Sequence, residues 1–406
     1  MKAFVLAGAA AAACWAQSFM YRGFLDTRVF LYPETAVNDS GRAVGEALLR
    51  WEPAWRAAPW LRWNASLDVR FDTHRQVERE ARLDWGDRGL RRPAVSVRRL
   101  SAVMNRGPLT LEVGKQFIRW GKADILNPTD RFAPRDFLSV VTNDFLAVPA
   151  ARATMEFGRD TFDLVWQPRF TPSRAPLLSQ RWTVLPEAVN ALALRDAGAR
   201  HPGGSQFGGR WNHFWRGGEF SVSYFDGRNH LPQFDIWTGS QLLPVGFQRY
   251  FPRLRQYGAD AAAPLRWFTV KAEAAYFTAP DQQADSFFQG VIQLERQSGE
   301  WNFVGGYAGE RTTARRSRVQ FAPDRGLTKA FLGRAGYTID VNRSFAVEFA
   351  VRRNGDGAWV RTEYSQAFGQ HWRATGGFTW IAGNAGDFLG QYRRNSHISL
   401  GLRYSF

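Results

Sequence analysis

The chain has 406 residues, of which 45% are hydrophobic and 22% charged, and its formal net charge at pH 7 is +16. After the first residues, no run approaches the roughly 20 apolar residues of a membrane helix, which excludes a helical membrane protein. It does not exclude a transmembrane β-barrel, whose strands alternate polar and apolar residues and are therefore hydrophilic on average.

The positive charge is carried almost entirely by arginine, since the chain contains 48 arginines and only five lysines. The arginines are spread along the chain and not gathered on one helix or tail, which argues against nucleic-acid binding. Two interpretations remain open. The excess reflects a GC-rich genome, or it supplies guanidinium groups that bind carboxylates, phosphates or sulfates through paired hydrogen bonds.

The N-terminus has the features of a secretory signal peptide at residues 1–16. Lys2 precedes an apolar segment over residues 3–13, and the small-x-small site ends at Ala16. A lipoprotein signal at Cys14 and a short N-terminal helix are the alternatives. Cleavage after Ala16 would remove the only cysteine, and a cysteine-free chain over 17–406 fits an exported protein without disulfides.

Alternation of polar and apolar residues then recurs along the whole chain, most clearly in residues 61–72, LRWNASLDVRFD. The pattern predicts an all-β fold, a single transmembrane antiparallel barrel of about 18 strands (16–18). The predicted strands are 20–31, 43–53, 60–72, 94–104, 109–119, 149–157, 161–170, 205–215, 219–227, 253–263, 266–277, 286–297, 301–310, 327–339, 344–353, 358–367, 371–383 and 395–406. Residues 186–200 are predicted to form a short helix in a loop.

The connections between these strands alternate between short and long. Bacterial outer-membrane barrels have short periplasmic turns and long extracellular loops, so we expect a Gram-negative outer membrane with both termini periplasmic. Tryptophans near the strand ends predict two aromatic girdles. The periplasmic girdle would contain Trp51, Trp55, Trp60, Trp215, Trp267, Trp301 and Trp372. The opposite girdle would contain Trp120, Trp166, Trp237, Trp359 and Trp380.

A barrel of this size must close in lipid and is too wide for wall side chains to fill, so an aqueous channel is expected. Strand parity places a set of arginines on the lumen face: Arg62, Arg70, Arg210, Arg334, Arg352, Arg361, Arg373 and Arg403. It places acids there too: Glu46, Glu52, Asp68, Asp72, Glu112, Asp260, Glu273, Glu295, Glu348 and Glu363. These charges either pair across the wall in a structural role or form a ladder that steers charged solutes.

Residues 113–145 begin as a strand and become a long loop rich in Pro, Asp and Arg. Such a loop either folds into the lumen and constricts it, or lies outside the barrel with solvated charges. The candidate constriction residues are Arg119, Lys122, Asp124, Asp130, Arg131, Arg135 and Asp136. The loop over residues 171–204 is a second candidate for a constriction or gate.

Four segments are distinctive: GKQFIRWGKADILNPTDRFAPRDF, QPRFTPSRAPLLSQRW, VSYFDGRNHLPQF and QYGADAAAPLRWFTVKAEAAYF. They resemble a broad family of porin-like outer-membrane barrels, often encoded beside exporters of the resistance-nodulation-division class. More distantly, they are similar to the alginate-export barrel family. The first resemblance implies a channel, with an inner-membrane exporter as a candidate partner. The second implies an arginine-rich conduit for a polyanion.

The last strand, HISLGLRYSF, is predicted to pair with the first near residues 24–31, and its Tyr404 and Phe406 resemble a C-terminal assembly signal read by the barrel assembly machinery. Its His397 and Ser399 also form an H-x-S pair like that of outer-membrane phospholipase. Parity points that pair into the lumen, away from lipid substrate. The sequence has no metal-ligand spacing and no phosphate-binding loop, and we expect no cofactor.

The sequence therefore predicts a non-enzymatic outer-membrane channel for passive diffusion or export of small or anionic solutes. Its expected partners are outer-membrane lipid and lipopolysaccharide, the assembly machinery and an unidentified solute, and no nucleic acid. A phospholipase-like barrel and a plugged or adhesive structural barrel are the alternatives.

Overall fold

The computed structural model describes residues 19–406 except residues 125, 142, 185–193, 239–243, 317–318 and 354–355. The predicted signal peptide, residues 1–16, lies outside the described residues. The described residues form one closed antiparallel barrel of 18 strands, which confirms the predicted fold and strand number.

The barrel strands follow one another around the wall in chain order. Their bounds are β1 Phe19–Leu31, β2 Ala43–Ala58, β3 Leu61–Asp72, β4 Val95–Arg106, β5 Leu109–Gln116, β6 Val148–Phe157, β7 Asp160–Gln167, β8 Gln206–Trp215, β9 Gly218–Arg228, β10 Arg253–Pro264, β11 Thr269–Thr278, β12 Ser286–Ser298, β13 Trp301–Ala314, β14 Ala330–Thr338, β15 Arg343–Arg352, β16 Gly357–Phe368, β17 Trp372–Gly383 and β18 His397–Ser405.

The first and last strands close the barrel as predicted. Phe24 lies opposite Ser405, and the register continues to Leu31 opposite Ile398. Beyond it, Gly23 and Phe406 exchange two backbone hydrogen bonds of 2.8 and 3.0 Å. Closure leaves no unpaired edge in the described barrel strands, as a barrel in hydrocarbon would require, because no water there could satisfy the backbone groups.

Burial follows the alternation within each strand. On β3, Val69 is 46% exposed and Phe71 63% exposed on the outer surface, whereas Asp68 and Asp72 are buried on the inner one. An apolar outer face and a polar inner face are what a bilayer outside and water or protein inside require.

Eight short turns lie at the same end of the barrel as both termini, which we call the short-turn end; the opposite end is the long-loop end. Four of these turns contain a glycine with positive φ: Gly107 (58°), Gly158 (60°), Gly299 (56°) and Gly369 (60°). Tight hairpin turns require this left-handed backbone, which glycine adopts without steric cost.

The predicted tryptophan girdles match the outer barrel surface except at three positions. One of them, Trp237, lies on the loop strand Gln233–Thr238 and not on the barrel wall. Trp60 and Trp267 at the short-turn end are 54% and 59% exposed, and Trp166 and Trp380 near the long-loop end are 54% and 45% exposed. Trp120, however, is only 2% exposed and lies inside the barrel. Trp359 faces inward as well and packs against interior residues.

The long loops contain short elements of their own: strands Leu83–Asp84, Arg135–Asp136, Asp144–Phe145, Arg195–Ala199, Gln233–Thr238, Pro244–Tyr250 and Val319–Gln320, the helix Pro323–Gly326 and the 3-10 helix Gly390–Asn395. The helix predicted over residues 186–200 is wrong in its described part, because Arg195–Ala199 pairs as a parallel strand with Pro244–Tyr250. None of the helices in the described part of the chain is long and apolar enough to cross a membrane.

Candidate functional site: an interior loop and the passage beside it

Residues 117–147, which we call the interior loop, connect β5 to β6. These strands are neighbours, with Gln116 opposite Val148, so a tight turn would have sufficed to join them. The loop instead turns into the barrel and contacts inward-facing residues of β7 to β15, as the following contacts show.

Glu273 of β11 holds the loop by its backbone. One carboxylate oxygen accepts hydrogen bonds from the backbone N–H groups of Lys122 (3.1 Å) and Ala123 (3.3 Å). The other accepts from the backbone N–H and the hydroxyl of Thr129, at 2.8 and 2.7 Å. Glu273 is 2% exposed, so this one carboxylate satisfies four donors in a site that water does not reach.

Two charged loop residues reach the wall on either side of Glu273. Lys122 Nζ lies 3.0 Å from carboxylate oxygens of both Glu219 and Asp260. Asp124 lies 3.0 Å from Lys271 Nζ and accepts a 2.7 Å hydrogen bond from Gln293. These contacts tie the loop to β9, β10, β11 and β12.

Asp130 and Trp120 fix the turn at the start of the loop. Asp130 Oδ1 accepts the backbone N–H groups of Trp120 (2.5 Å) and Gly121 (2.7 Å). The Trp120 indole donates to Asp163 Oδ2 of β7 at 2.7 Å, and Asp163 also pairs with Arg152. Two backbone N–H groups and the indole N–H of this turn therefore have carboxylate partners.

Three of the predicted constriction arginines pack on aromatic rings. The guanidinium groups of Arg119 and Arg135 both lie over Phe145, at 4.3 and 4.2 Å from its centroid. Arg131 lies 5.0 Å from the centroid of Phe277. Burial lowers the pKa of Arg131 and Arg135, and stacking on an aromatic face lets a guanidinium stay charged in such surroundings.

Asp136 is the centre of a buried charge network. Its carboxylate lies 2.9 Å from Arg92 and 3.2 Å from Arg174. Arg174 also pairs with Asp87 at 2.7 Å, and Asp87 with Lys115 at 2.5 Å. Burial opposes ionisation of Asp136, but the two guanidinium groups hold its pKa well below its usual range. The network joins the interior loop to the loops that contain residues 87–92 and 174.

Apolar contacts complete the fit of the loop. Ala123 and Leu126 pack on inward residues of β12 to β15, including Ala308, Ala330 and Ala350, which are 0% exposed. Elsewhere in the loop, Trp120 and Phe132 pack on Val148, Ala150, Val165 and Phe225. At these positions the wall presents small or apolar side chains, so this part of the lumen is packed like a protein core.

Two adjoining cavities lie in the lumen beside the interior loop, and they share Asp26, Arg28, Phe30, His397 and Arg403. We call their combined space the passage. The wall of β1–β3 and β16–β18 lines one side, with six arginines: Arg28, Arg50, Arg70, Arg361, Arg373 and Arg403. Asp136, Ser139 and Asp144 of the interior loop line the other side, together with Arg181 and Trp182 of the next long loop. The passage is therefore off-centre in the barrel.

Pairs of wall arginines share single carboxylates. Asp26 lies 3.0 Å from Arg28 and 3.1 Å from Arg403. Asp68 lies 2.7 Å from Arg50 and 2.6 Å from Arg70. Each of these two clusters contains two guanidinium groups and one carboxylate, so each cluster keeps one formal positive charge beside the passage.

Arg373 adds a further positive charge. It lies directly opposite Arg403 in the β17–β18 register, where two like charges repel each other. Its Nη1 donates to the Ser365 hydroxyl at 2.9 Å, and it has no ion pair with a carboxylate in the described part of the chain. On the passage side of β16–β18 and β1–β3, six arginines therefore stand with four carboxylates, Asp26, Glu46, Asp68 and Glu363.

The other predicted lumen arginines have different surroundings. Arg210 pairs with Asp260 (3.0 Å) below the interior loop. Arg352 pairs with Asp387 (3.1 Å) and donates to loop carbonyls, so both guanidinium groups are occupied. Arg334 faces the lumen, 3.5 Å from Glu348 and with its side chain 58% exposed. Arg62 is exposed near the short-turn end, away from the residues that line the passage.

The second candidate gate, residues 171–204, is only partly within the described residues. The backbones of Arg174 and Asp136 of the interior loop form an isolated β-bridge. Arg181 stacks on Tyr32 at 3.6 Å and donates to the carbonyl of Gly41. This part of the loop is therefore fixed between the interior loop and the β1–β2 connection.

The His397–Ser399 pair has no catalytic geometry. His397 faces the lumen, is 4% exposed, and its Nδ1 lies 2.8 Å from the carbonyl oxygen of Asn395. Its ring packs against Phe30 and Tyr32. Among the described residues no hydrogen bond joins His397 to Ser399. Nor does the described part of the chain contain a cluster of three or more His, Cys, Asp or Glu side chains placed to hold a metal ion.

Sequence reasoning missed several residues of this site. Asp26, Arg28 and Arg50 stand at inward positions of β1 and β2, so strand parity alone could have found them. The role of Glu273 as the loop's anchor has no local sequence signal, because its partners lie about 150 positions away.

No family model and no curated protein matches the chain. Among solved structures, OccAB4 of Acinetobacter baumannii is similar, with a TM-score of 0.56 at 10% identity, over 96% of this chain and 98% of that one. A triple mutant of the Rhodopseudomonas blastica porin aligns over 96% of this chain and 100% of that one, with 10% identity and a TM-score of 0.45. At this identity the likeness to OccAB4 shows that the chain has a porin-like barrel fold, and it does not distinguish between the two families that the sequence resembles.

Proposed function

We propose that the protein is an outer-membrane channel through which small anionic solutes diffuse passively. The observation that carries this proposal is the passage itself, a cavity beside the interior loop whose wall holds six arginines and four carboxylates. Barrels that cross the outer membrane with an even number of strands have their termini and short turns at the periplasmic side, and the proposal places this chain in the same orientation.

The electrostatics favour anions over cations. The arginines stay protonated at any physiological pH, and Asp26 and Asp68 are each shared by two of them. Low-dielectric walls concentrate the resulting field in the passage. A carboxylate or phosphate solute could exchange paired hydrogen bonds from one guanidinium to the next along Arg373, Arg403 and Arg28. The acids of the interior loop on the opposite side would keep such a solute near the arginine wall.

The proposal is tested by conductance of the purified, folded protein in planar bilayers. We expect discrete current steps, each corresponding to insertion of one or a few barrels. A protein that is folded by circular dichroism, inserts into the bilayer and conducts no ions would overturn the proposal and favour a plugged barrel. The direction of transport and the association with an exporter are open in this proposal, because a passive channel conducts in both directions.

A further inference from the structure

The outer surface of β9 to β13 differs from the rest of the lipid-facing wall. In one register row, Ala259, Ala274, Gly290 and Gly309 stand side by side. In the next row toward the short-turn end, Ala261 and Ala272 are neighbours. Larger side chains flank them, with Phe220 and Val222 on one side and Ile292 and Tyr307 on the other. Together these residues line a depression, which we call the outer groove.

Aromatic residues and arginines stand immediately above the groove, toward the long-loop end. The adjacent register row contains Tyr224, Tyr257, Tyr276, Phe288 and Arg311 in sequence across five strands. One row further, Arg255 pairs with Asp226 at 2.8 Å, and beyond it Arg253 also reaches Asp226, at 3.1 Å. Arg228 lies opposite Arg253. Tyrosines and arginines at this level are typical of the interface between hydrocarbon and head groups.

This cluster has an excess of positive charge. Four arginines, Arg228, Arg253, Arg255 and Arg311, accompany Asp226, and Asp281 accepts the backbone N–H of Arg253 at 3.1 Å. Neither Arg228 nor Arg311 has an ion pair with a carboxylate in the described part of the chain. Phosphate groups are the natural partners of such guanidinium groups, because two N–H donors match two phosphate oxygens.

The groove has the depth of one leaflet. Six residues separate Arg255 from Ala261, which is about 20 Å of strand and, at the usual strand tilt, about 15 Å of membrane depth. The hydrocarbon core is about 30 Å thick, so the groove extends from the head-group level to about the middle of the bilayer. An acyl chain therefore fits the length of the groove, and the phosphorylated head group attached to it fits the positive charge of the arginines above.

We propose that the outer groove and the arginines above it bind one molecule of lipopolysaccharide through its lipid A portion. An acyl chain lies in the groove of Ala259, Ala274 and Gly290, and a phosphate lies between Arg311 and the Arg253–Arg255 pair. The choice of lipopolysaccharide over a phospholipid rests on the proposed function, which orients the long-loop end toward the outer leaflet.

The test is native mass spectrometry of the folded full chain in detergent, titrated with bis-phosphorylated lipid A. The double variant Arg228→Gln/Arg311→Gln should bind lipid A about tenfold more weakly, as the loss of charge-assisted contacts requires. The variant Gly290→Leu should bind it weakly too, because the side chain fills the groove. A Cβ at Gly290 meets nothing closer than 3.5 Å, so the substitution is tolerated by the strand.

Matched controls stand on the same outer surface. Arg266→Gln/Arg296→Gln removes two arginines beside Trp267 at the short-turn end. Gly305→Leu adds the same side chain outside the groove, where the nearest atom to a Cβ is 4.0 Å away. Both controls should bind lipid A as the native chain does.

Unchanged lipid A binding in both site variants would overturn the proposal. Equal affinity for phosphatidylglycerol would overturn the assignment to lipopolysaccharide, and a Gly290→Leu variant that loses only self-association would identify the groove as an interface between copies. Conductance of each variant separates this proposal from the channel. A variant that loses lipid A binding and keeps its conductance tests only the role of the groove. A protein that binds lipid A and does not conduct ions would contradict only the proposed channel function.

Discussion

The two halves of the lumen have the same strand pattern and different contents. Inward positions of β6 to β15 mostly meet the interior loop and are satisfied by it, as Asp260 by Lys122 and Glu273 by three backbone N–H groups and a hydroxyl. Inward positions of β16–β18 and β1–β3 mostly meet the passage. We call the β6–β15 side the packed half and the side of β16–β18 and β1–β3 the open half. The residue types differ: Ala308, Ala330 and Ala350 lie in the packed half, and Arg373 and Arg403 lie in the open half.

This comparison separates two uses of charge that look alike in the sequence. In the packed half the charged wall groups that meet the interior loop, such as Asp260 and Glu273, bind it and serve the structure. In the open half arginines outnumber their carboxylates and one, Arg373, stands beside another arginine. These surplus arginines have no structural partner among the described residues that requires them, and the proposed attraction of anionic solutes explains them best.

Removing the interior loop should have the largest effect. Because Gln116 and Val148 are already opposite each other, residues 117–147 can be replaced by a two-residue turn such as Asn-Gly. The packed half would then open, and single-channel conductance should rise severalfold. Heat-modifiable migration on gels checks that the barrel still folds. An unchanged conductance in a folded barrel would mean that the loop does not narrow the lumen.

A smaller effect is expected from releasing the loop at its anchor. Glu273→Gln replaces one acceptor oxygen by an NH2 group that faces N–H donors, at a cost of about 1–3 kcal/mol of stability. The loop should then fluctuate, and we expect added current noise and brief openings to higher conductance.

The matched control is Glu348→Gln, which changes a lumen-facing glutamate that lies 3.5 Å from Arg334 on the neighbouring strand β14. It should leave the noise at the native level. Equal noise in the two variants would contradict the anchoring role of Glu273.

The third effect concerns ion preference and not conductance. Arg373→Gln removes a guanidinium that has no carboxylate partner among the described residues, so no buried acid is left alone. The reversal potential in a salt gradient should move toward zero, because one of the surplus positive charges is lost. Arg62→Gln removes an exposed arginine away from the passage and should leave the reversal potential unchanged. Equal shifts in both variants would show that total charge, and not the passage wall, sets the preference.

The smallest effect is expected at the former catalytic candidate. Ser399→Ala should change neither conductance nor the background rate in a phospholipase assay, because Ser399 and His397 share no hydrogen bond. A lipase activity present in the native protein and lost in this variant would restore the enzyme interpretation.

The strands were predictable because a bilayer outside and a polar interior impose a period of two on each of them. All 18 predicted strands have a counterpart, including the closing pair of the first and last. Parity also identified the passage residues Arg70, Arg361, Arg373 and Arg403. It failed to separate them from Arg210 and Arg352, because an inward direction does not reveal whether water or a loop lies opposite.

The interior loop was the least predictable region. Its residues have no period, and its partners Glu273, Gln293 and Asp260 are more than 100 positions away in the chain. Trp120 illustrates the difficulty, since a tryptophan after a strand end is equally consistent with a membrane girdle and with a buried anchor. A loop with Ile118, Trp120, Phe132 and Phe137 among its charges does carry a signal for burial, which the girdle interpretation overrode.

The most direct test of an anion-selective passage is the sign of the reversal potential of the native protein in a potassium chloride gradient. We expect selectivity for chloride, because the arginine wall of the passage holds six guanidinium groups and only four carboxylates. Selectivity for potassium would contradict it, since the acids of the interior loop would then dominate the field that ions meet.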